Sequence, residues 1–317
     1  MQHTTWDVII AGGGSAGLSA ALMLGRSRRR VLVIDEGAPR NRFAGHMHGV
    51  LGRDHTSPLD LLEAGRAELG RYDGVVIRSG EIVEAAGDLE RGFTVTLADG
   101  ERHEGRRMLL ATGLRDALPD VPGLAEQWGR GAFLCPYCDG WEQRDRRIAV
   151  LATTPAYVHA TQLLRQLSAN VTFFAHGFEL APEARQGLVA RGVAVEDRPV
   201  DRVLADGTGA VRGIRLADGR ELDADVIFVS PTPEPNDALA RALGADFATG
   251  PDGVDWVQVD AMGRTSVPGL SAAGNLTDGR SSVPYALSAG SMAGAMLNAD
   301  LVEEEVRAAV AASPYAL

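Results

Sequence analysis

Only two cysteines occur in the 317 residues, and they lie three positions apart. That scarcity excludes the disulfide framework of a small secreted domain, which is built from several spaced pairs. Long apolar runs are missing too: nothing approaches the roughly 20 consecutive apolar residues of a membrane-spanning helix, so no membrane partner is expected. A buried-strand pattern at 8–11 begins almost at the N-terminus and leaves no room for a signal peptide, which makes a reducing cytoplasm the expected location. Positive charge is in deficit, with 31 Lys and Arg against 42 Asp and Glu and a net charge of -11. A phosphate backbone is bound by clustered cations, so nucleic acid is not an expected partner. The one basic run, RSRRR at 26–30, sits between a helical pattern and a strand and reads as a solvated helix end.

What is present begins with a strand, a glycine turn, a helix and a second strand: DVIIA, GGGSAG, LSAALMLGRS, VLVID. This is a βαβ unit. A loop rich in Gly, Pro, Arg and His follows (37–58), then a helical stretch, alternating strands such as FTVTLADG, and the strand MLLATG at 108–113. RIAVLA opens a second unit, which runs through YVHATQLLRQLS and returns as NVTFFA. The pattern thus occurs twice, about 140 residues apart, which fits roughly 100 to 200 residues per domain. The expected class is α/β: two Rossmann-like, doubly wound, three-layer domains. One, over 1–114 and 242–317, is interrupted by the other, over 115–241.

Gly12, Gly14 and Gly17 form G-x-G-x-x-G between strand and helix, the context that gives the motif meaning. The first glycine permits the tight turn. The second lets backbone amides, including those around Ser15 and Ala16, approach a pyrophosphate, and the third lets helix and strand meet closely. The phosphates would sit on the helix N-terminus. Asp35, eighteen residues after Gly17 at the end of the second strand, would accept from ribose hydroxyls, with Glu36 as the adjacent alternative.

Two distant segments, Ala111-Thr112-Gly113 and TSVPGLSAAGN at 265–275, complete a set of three. Together with the glycine turn they resemble, in order and over nearly the whole chain, the FAD-contacting motifs of small thioredoxin-reductase-like flavoproteins. The resemblance implies FAD rather than NAD in the first domain, and a C2 homodimer formed through the FAD domains. Where that family usually ends its last motif in Gly-Asp, this sequence has Gly274-Asn275, which keeps an acceptor and loses a charge.

Cys135-Pro136-Tyr137-Cys138-Asp139 resembles the family's Cys-x-x-Cys-Asp. The spacing suits a reversible disulfide, with one thiol attacking and the other resolving. By the resemblance Cys138 faces the flavin, Cys135 meets the substrate, and Asp139 is the acid-base group, provided burial raises its pKa. A structural zinc site would need four ligands and no second cysteine pair exists, so no metal is expected. His46, His48 and His55 share the loop after Asp35. Loop histidines are commonly solvated, and His48 is the best candidate for a flavin-side or thiol-deprotonating role.

The second glycine motif is broken. Its equivalent reads Ala152-Thr153-Thr154-Pro155-Ala156-Tyr157, with a branched side chain where backbone should meet pyrophosphate and a ring where helix and strand should touch. The stretch Ala175-His176-Gly177-Phe178-Glu179 lacks the arginines that would hold a 2′-phosphate. The later segments at 229–232 (VSPT) and Val283-Pro284 also depart from the family pattern. This combination resembles the FAD-dependent dithiol oxidases that close the disulfides of gliotoxin- and holomycin-type natural products. It implies a small-molecule dithiol as electron donor, O₂ as acceptor and H₂O₂ as product. Two other readings stay open: a thioredoxin reductase drawing on NAD(P)H through a drifted motif or on ferredoxin, and a flavin redox sensor without turnover.

Overall fold

The computed structural model describes residues 5–155, 157–280 and 282–313. Its seven α-helices in these residues are α1 (Ser15–Arg26), α2 (Pro58–Leu69), α3 (Pro136–Asp139), α4 (Tyr157–Leu167), α5 (Pro182–Ala190), α6 (Ala238–Ala242) and α7 (Val283–Ala311). Among the described residues no helix is long and apolar enough to cross a membrane. The chain divides into two units. The first comprises Met1–Arg40, Leu59–Arg115 and Glu234–Leu317, and the second Asn41–Pro58 and Asp116–Pro233. This differs from the expected division in two places. The histidine-bearing loop groups with the second unit although it lies within the first segment of sequence, and the return to the first unit falls at 234 rather than 242.

In the first unit, strand Trp6–Ala11 is flanked by Val31–Asp35 on one side and Arg102–Leu110 on the other, all parallel, with Ile9 opposite Leu32 and Met108. Val75–Ser79 extends one edge, and Ile82–Asp88 with Gly92–Leu97 forms an antiparallel extension of the other. Leu270–Ala272 pairs with Arg102–Leu110. Strand residues alternate faces, so Ile9 and Ala11 enter one core while Val8 and Ile10 enter the other. A sheet covered on both faces has continuous apolar strands, as VIIA and VLVI show.

α1 is held against α7 by the absence of side chains. A Cβ on Gly290 would overlap the Ala16 carbonyl, and one on Gly294 would lie 2.6 Å from the Ala20 carbonyl. Glycines four apart in α7 meet alanines four apart in α1, a spacing that keeps small residues on one helix face. The C-terminal half of α7 is tied to the sheet by ions: Glu304 binds Arg106 and the buried Arg107, while Glu305 binds Arg106 and Arg29. α1 is therefore a rigid element, and its N-terminus carries the glycine turn.

The second unit repeats the plan with a five-stranded parallel sheet, in the order Ala194–Glu196, Val171–Phe174, Ile148–Leu151, Val226–Val229, Ala132–Phe133. Its faces again alternate, Ala149 and Leu151 against Ile148 and Val150. An antiparallel meander of Val200–Ala205, Val211–Leu216 and Glu221–Asp223 covers one side. α4 and α5 lie in the connections between parallel strands on the other, where Leu164 and Leu188 are fully buried.

Candidate active site

In the first unit the strand order reverses at Trp6–Ala11, and a ligand crevice opens at the carboxyl ends of strands at such a switch point. Three segments distant in sequence meet there. Gly12 has φ +104°, and a Cβ on it would overlap the Ala111 carbonyl. The Ala111 N–H donates to the Ala11 carbonyl at 2.8 Å, and the Ala273 N–H to that of Leu110 at 3.0 Å. Gly274, at φ +78°, brings its Cα against Ala16. Gly17 sits so close to the Gly12 carbonyl that any side chain would overlap it, whereas a Cβ on Gly14 would meet nothing within 4 Å. The turn is closed where helix touches strand and open where a phosphate would lie.

α1 starts at Ser15 without a side-chain cap or an acidic residue in its first turn. Its leading amides and its dipole therefore favour an anion. Asp35 accepts the Gly13 N–H at 2.9 Å and pairs with Arg66 of α2 at 2.8 Å, while Glu36 is exposed. The carboxylate keeps further lone pairs for a hydroxyl. Asn275 donates its side-chain amide to the Asp278 carbonyl at 3.2 Å, a bond that an ionised aspartate could not make. Asn236, unremarkable in sequence, clasps the ATG segment: its side chain donates to the Thr112 carbonyl at 2.8 Å, and the Thr112 hydroxyl donates to its carbonyl at 2.8 Å. These residues fit FAD. Gly12, Gly14 and α1 suit the pyrophosphate, Asp35 a ribose, and the 111–113 and 274–275 segments the remainder of the crevice.

In the second unit Cys135 and Cys138 are joined as a disulfide, with their Cα atoms 5.2 Å apart. Cys135 precedes the single turn of α3 in extended conformation, and Pro136 suits the first helical position because it has no N–H to satisfy. The Cys138 N–H donates to Cys135 Sγ at 3.1 Å. Asp139 closes the turn, half-buried. Burial raises its carboxyl, neighbouring His48 lowers it and Glu142 raises it, leaving its pKa at about 6.

His48 comes from the loop that joined this unit. Its ring is only 12 % exposed, with Nδ1 3.6 Å from Asp54 and Nε2 3.7 Å from Glu142. The loop is pinned as a small hairpin: the Met47 N–H donates to the Thr56 carbonyl at 2.8 Å, the His55 N–H to that of Met47 at 3.0 Å, and the Gly49 N–H to Asp54 at 2.8 Å. His46 and His55 are both exposed and stack ring on ring at 4.1 Å. Sequence reasoning singled out His48. It missed Glu142, whose only signal was an acid three residues past Asp139.

The altered second turn has acquired a structural use. Tyr157 at the start of α4 is buried, and its hydroxyl donates to the carbonyl of Leu134, immediately before Cys135. Burial, and then the Asp139 carboxylate, push its pKa upward, so the phenol stays a donor. Position 155, the counterpart of Ser15, is a proline and has no N–H to offer a pyrophosphate. Ala156 lies outside the described residues. At the end of the next strand, where a 2′-phosphate would seek a cation, His176 accepts the Val200 N–H on Nδ1 at 3.0 Å, and burial lowers its pKa.

A dinucleotide cradle in one α/β unit and a disulfide turn in the other define a flavin-dependent disulfide oxidoreductase. Residues 6–290 match the pyridine nucleotide-disulphide oxidoreductase family. The chain belongs to that family and is an FAD-binding flavoprotein. It is 33% identical over 307 residues to thioredoxin reductase tcpT of Claviceps purpurea, covering 94% of this chain and 95% of that one. To thioredoxin reductase sirT of Leptosphaeria maculans it is 32% identical over 308 residues, covering 92% and 93%. Among solved structures it is similar to HlmI, with TM-score 0.92, 43% identity and coverage of 97% of this chain and 96% of that one.

Proposed function

We propose that the chain is an FAD-dependent dithiol oxidase that closes a disulfide in a small-molecule dithiol of the natural-product type, with O₂ as the final acceptor. One observation carries the reading: an intact Cys135–Cys138–Asp139 turn stands in the same unit as a second nucleotide turn that has Pro155 in place of a phosphate-facing amide and the buried Tyr157 in place of its third glycine. A family member without a nicotinamide site needs another electron source, and a dithiol substrate supplies one at the cysteines themselves. The similarity to HlmI and the resemblance to the gliotoxin- and holomycin-type oxidases support the same direction.

The chemistry then balances on this chain's residues. A substrate thiolate attacks Cys135 Sγ, an S–S bond forms as the Cys135–Cys138 bond breaks, and Cys138 leaves as thiolate. The second substrate thiol loses its proton to ionised Asp139 and attacks the substrate's own sulfur. The product disulfide forms and Cys135 departs as a thiolate stabilised by the Cys138 N–H. His48, held between Asp54 and Glu142, is the imidazole that the reading gives the outward proton path. Bound FAD supplies the two-electron acceptor that restores the cysteine disulfide and delivers the pair to O₂ as H₂O₂. Tyr137 (80 % exposed), between the cysteines, and Trp141 (64 % exposed), three residues after Cys138, offer aromatic surface to an apolar substrate.

A second reading, a disulfide reductase, is favoured by the names of the fungal relatives. Anaerobic stopped-flow absorbance separates the two. The oxidase reading requires that a small dithiol bleach the flavin, that NADPH and NADH leave it oxidised, and that air restore it. Rapid bleaching by NADPH moves the chain to the reductases. Bleaching by none of the three leaves a ferredoxin-dependent reductase or a sensor, and reduced ferredoxin then separates those two.

A further inference from the structure

Outside the cysteine turn, the second unit gathers imidazole and carboxylate donors at one point. One donor atom each from His48, His55 and Glu142 lie within 4.8 Å of one another. The rings are already oriented by neighbours. Asp54 approaches Nδ1 of His48 at 3.6 Å, leaving Nε2 toward Glu142, and is itself held by the Gly49 N–H. A carboxylate behind a ligating histidine is the usual outer support of a metal-bound imidazole. The ring of His46 stacks on that of His55 at 4.1 Å. His55 also adopts φ +63°, a left-handed conformation that costs a non-glycine residue energy and persists only where the surroundings enforce it.

We propose that His48, His55 and Glu142 bind a divalent transition-metal ion of the zinc type, and that its occupancy arrests dithiol oxidation. Two imidazoles and a carboxylate are a donor set for zinc rather than for calcium or magnesium, which prefer oxygen. With three protein ligands the fourth position is left for water or a substrate thiolate. Tetrahedral bonds of about 2.0 to 2.1 Å require donors roughly 3.3 Å apart, so side-chain rotations of an ångström or two close the cluster. A metal ion there takes up His48, the imidazole to which the oxidase reading gives the outward proton path from the cysteine turn. The arrest rests on the oxidase reading. The binding does not.

The test uses the full-length oxidised flavoprotein, in which the cysteines are held as a disulfide and do not compete. Isothermal titration with Zn²⁺ is expected to give one equivalent bound in the micromolar range, and Co²⁺ the visible absorbance of a low-coordinate site. His55→Ala weakens binding about tenfold or more while leaving the flavin spectrum and metal-free turnover unchanged, and Glu142→Gln weakens it as well. Because a dithiol itself binds zinc, inhibition is read at free zinc fixed by a metal buffer. Its midpoint should equal the binding constant and shift with His55→Ala by the same factor. No saturable binding, or binding that His55→Ala leaves unchanged, overturns the site. Binding without inhibition overturns the arrest alone.

Discussion

The Tyr157 hydroxyl donates a hydrogen bond to the Leu134 carbonyl, one residue before Cys135 of the disulfide. The side chain that fills the place of a small residue in a nucleotide turn thus anchors the backbone leading into the disulfide. α4 also touches the turn at its other end, where a Cβ on Gly140 would lie 2.6 Å from Leu167. Tyr157→Phe keeps the ring and removes the donor. Leaving a largely buried carbonyl unpaired costs about 1–3 kcal/mol, so a lowered melting temperature and a several-fold drop in turnover are expected. NADPH should still fail to bleach the flavin, because the ring remains. Unchanged turnover would show that the bond does not position the cysteines.

Turnover should fall on the acid side with an inflection near pH 6. Asp139 takes a proton only when ionised, and burial raises its pKa to about 6, so activity is lost as pH drops through that value. Glu142 raises that pKa and His48 lowers it. Glu142→Gln should therefore move the limb to lower pH, and His48→Asn to higher pH. Single-turnover flavin reduction against pH checks both directions, and a limb that neither variant moves removes Asp139 from the base role.

Cys135→Ser and Cys138→Ser should each abolish dithiol oxidation yet behave differently toward a thiol-reactive substrate disulfide. With Cys138 replaced, Cys135 is left without its resolving partner and accumulates a mixed disulfide that mass spectrometry detects. With Cys135 replaced, the adduct should be weaker or absent. Equal adducts on both variants would mean that the two sulfurs do not have separate roles.

Two glycines of one turn should fail for different reasons. Gly17→Ala places a Cβ into the Gly12 carbonyl, so folding itself is impaired, by about 1–3 kcal/mol or more as overpacked sites are. Gly14→Ala meets nothing within 4 Å and sits at φ -77°, which alanine adopts freely. The protein should fold normally and bind FAD weakly, because the methyl occupies the space of the pyrophosphate. Flavin content of the purified variants, set against far-UV circular dichroism, distinguishes the outcomes.

Much of this architecture was legible in order along the chain. Strand, glycine turn, helix and acid at 6–35 is a local pattern, because hydrophobic period and turn chemistry act over a few residues. The cysteine spacing is equally local, and so is the loss of glycines at 152–157. What the sequence could not place were partners brought together by the sheets. Asn236 closes on Thr112 across 124 positions, and Arg66 reaches Asp35 across 31. Neither has a signature, since any amide or guanidinium at the right point serves.

The histidine loop makes the distinction plainest. Its composition, three histidines within ten residues, is written in the sequence, and its position after Asp35 suggested membership of the first domain. Packing decided otherwise: it lies in the unit of the cysteines, with His48 between Asp54 and Glu142. Residue type fixes which protons and electrons a side chain can exchange, and that the chain itself determined. Which of those groups share a site depends on distances set by sheet order and helix packing, and only the tertiary structure decides them.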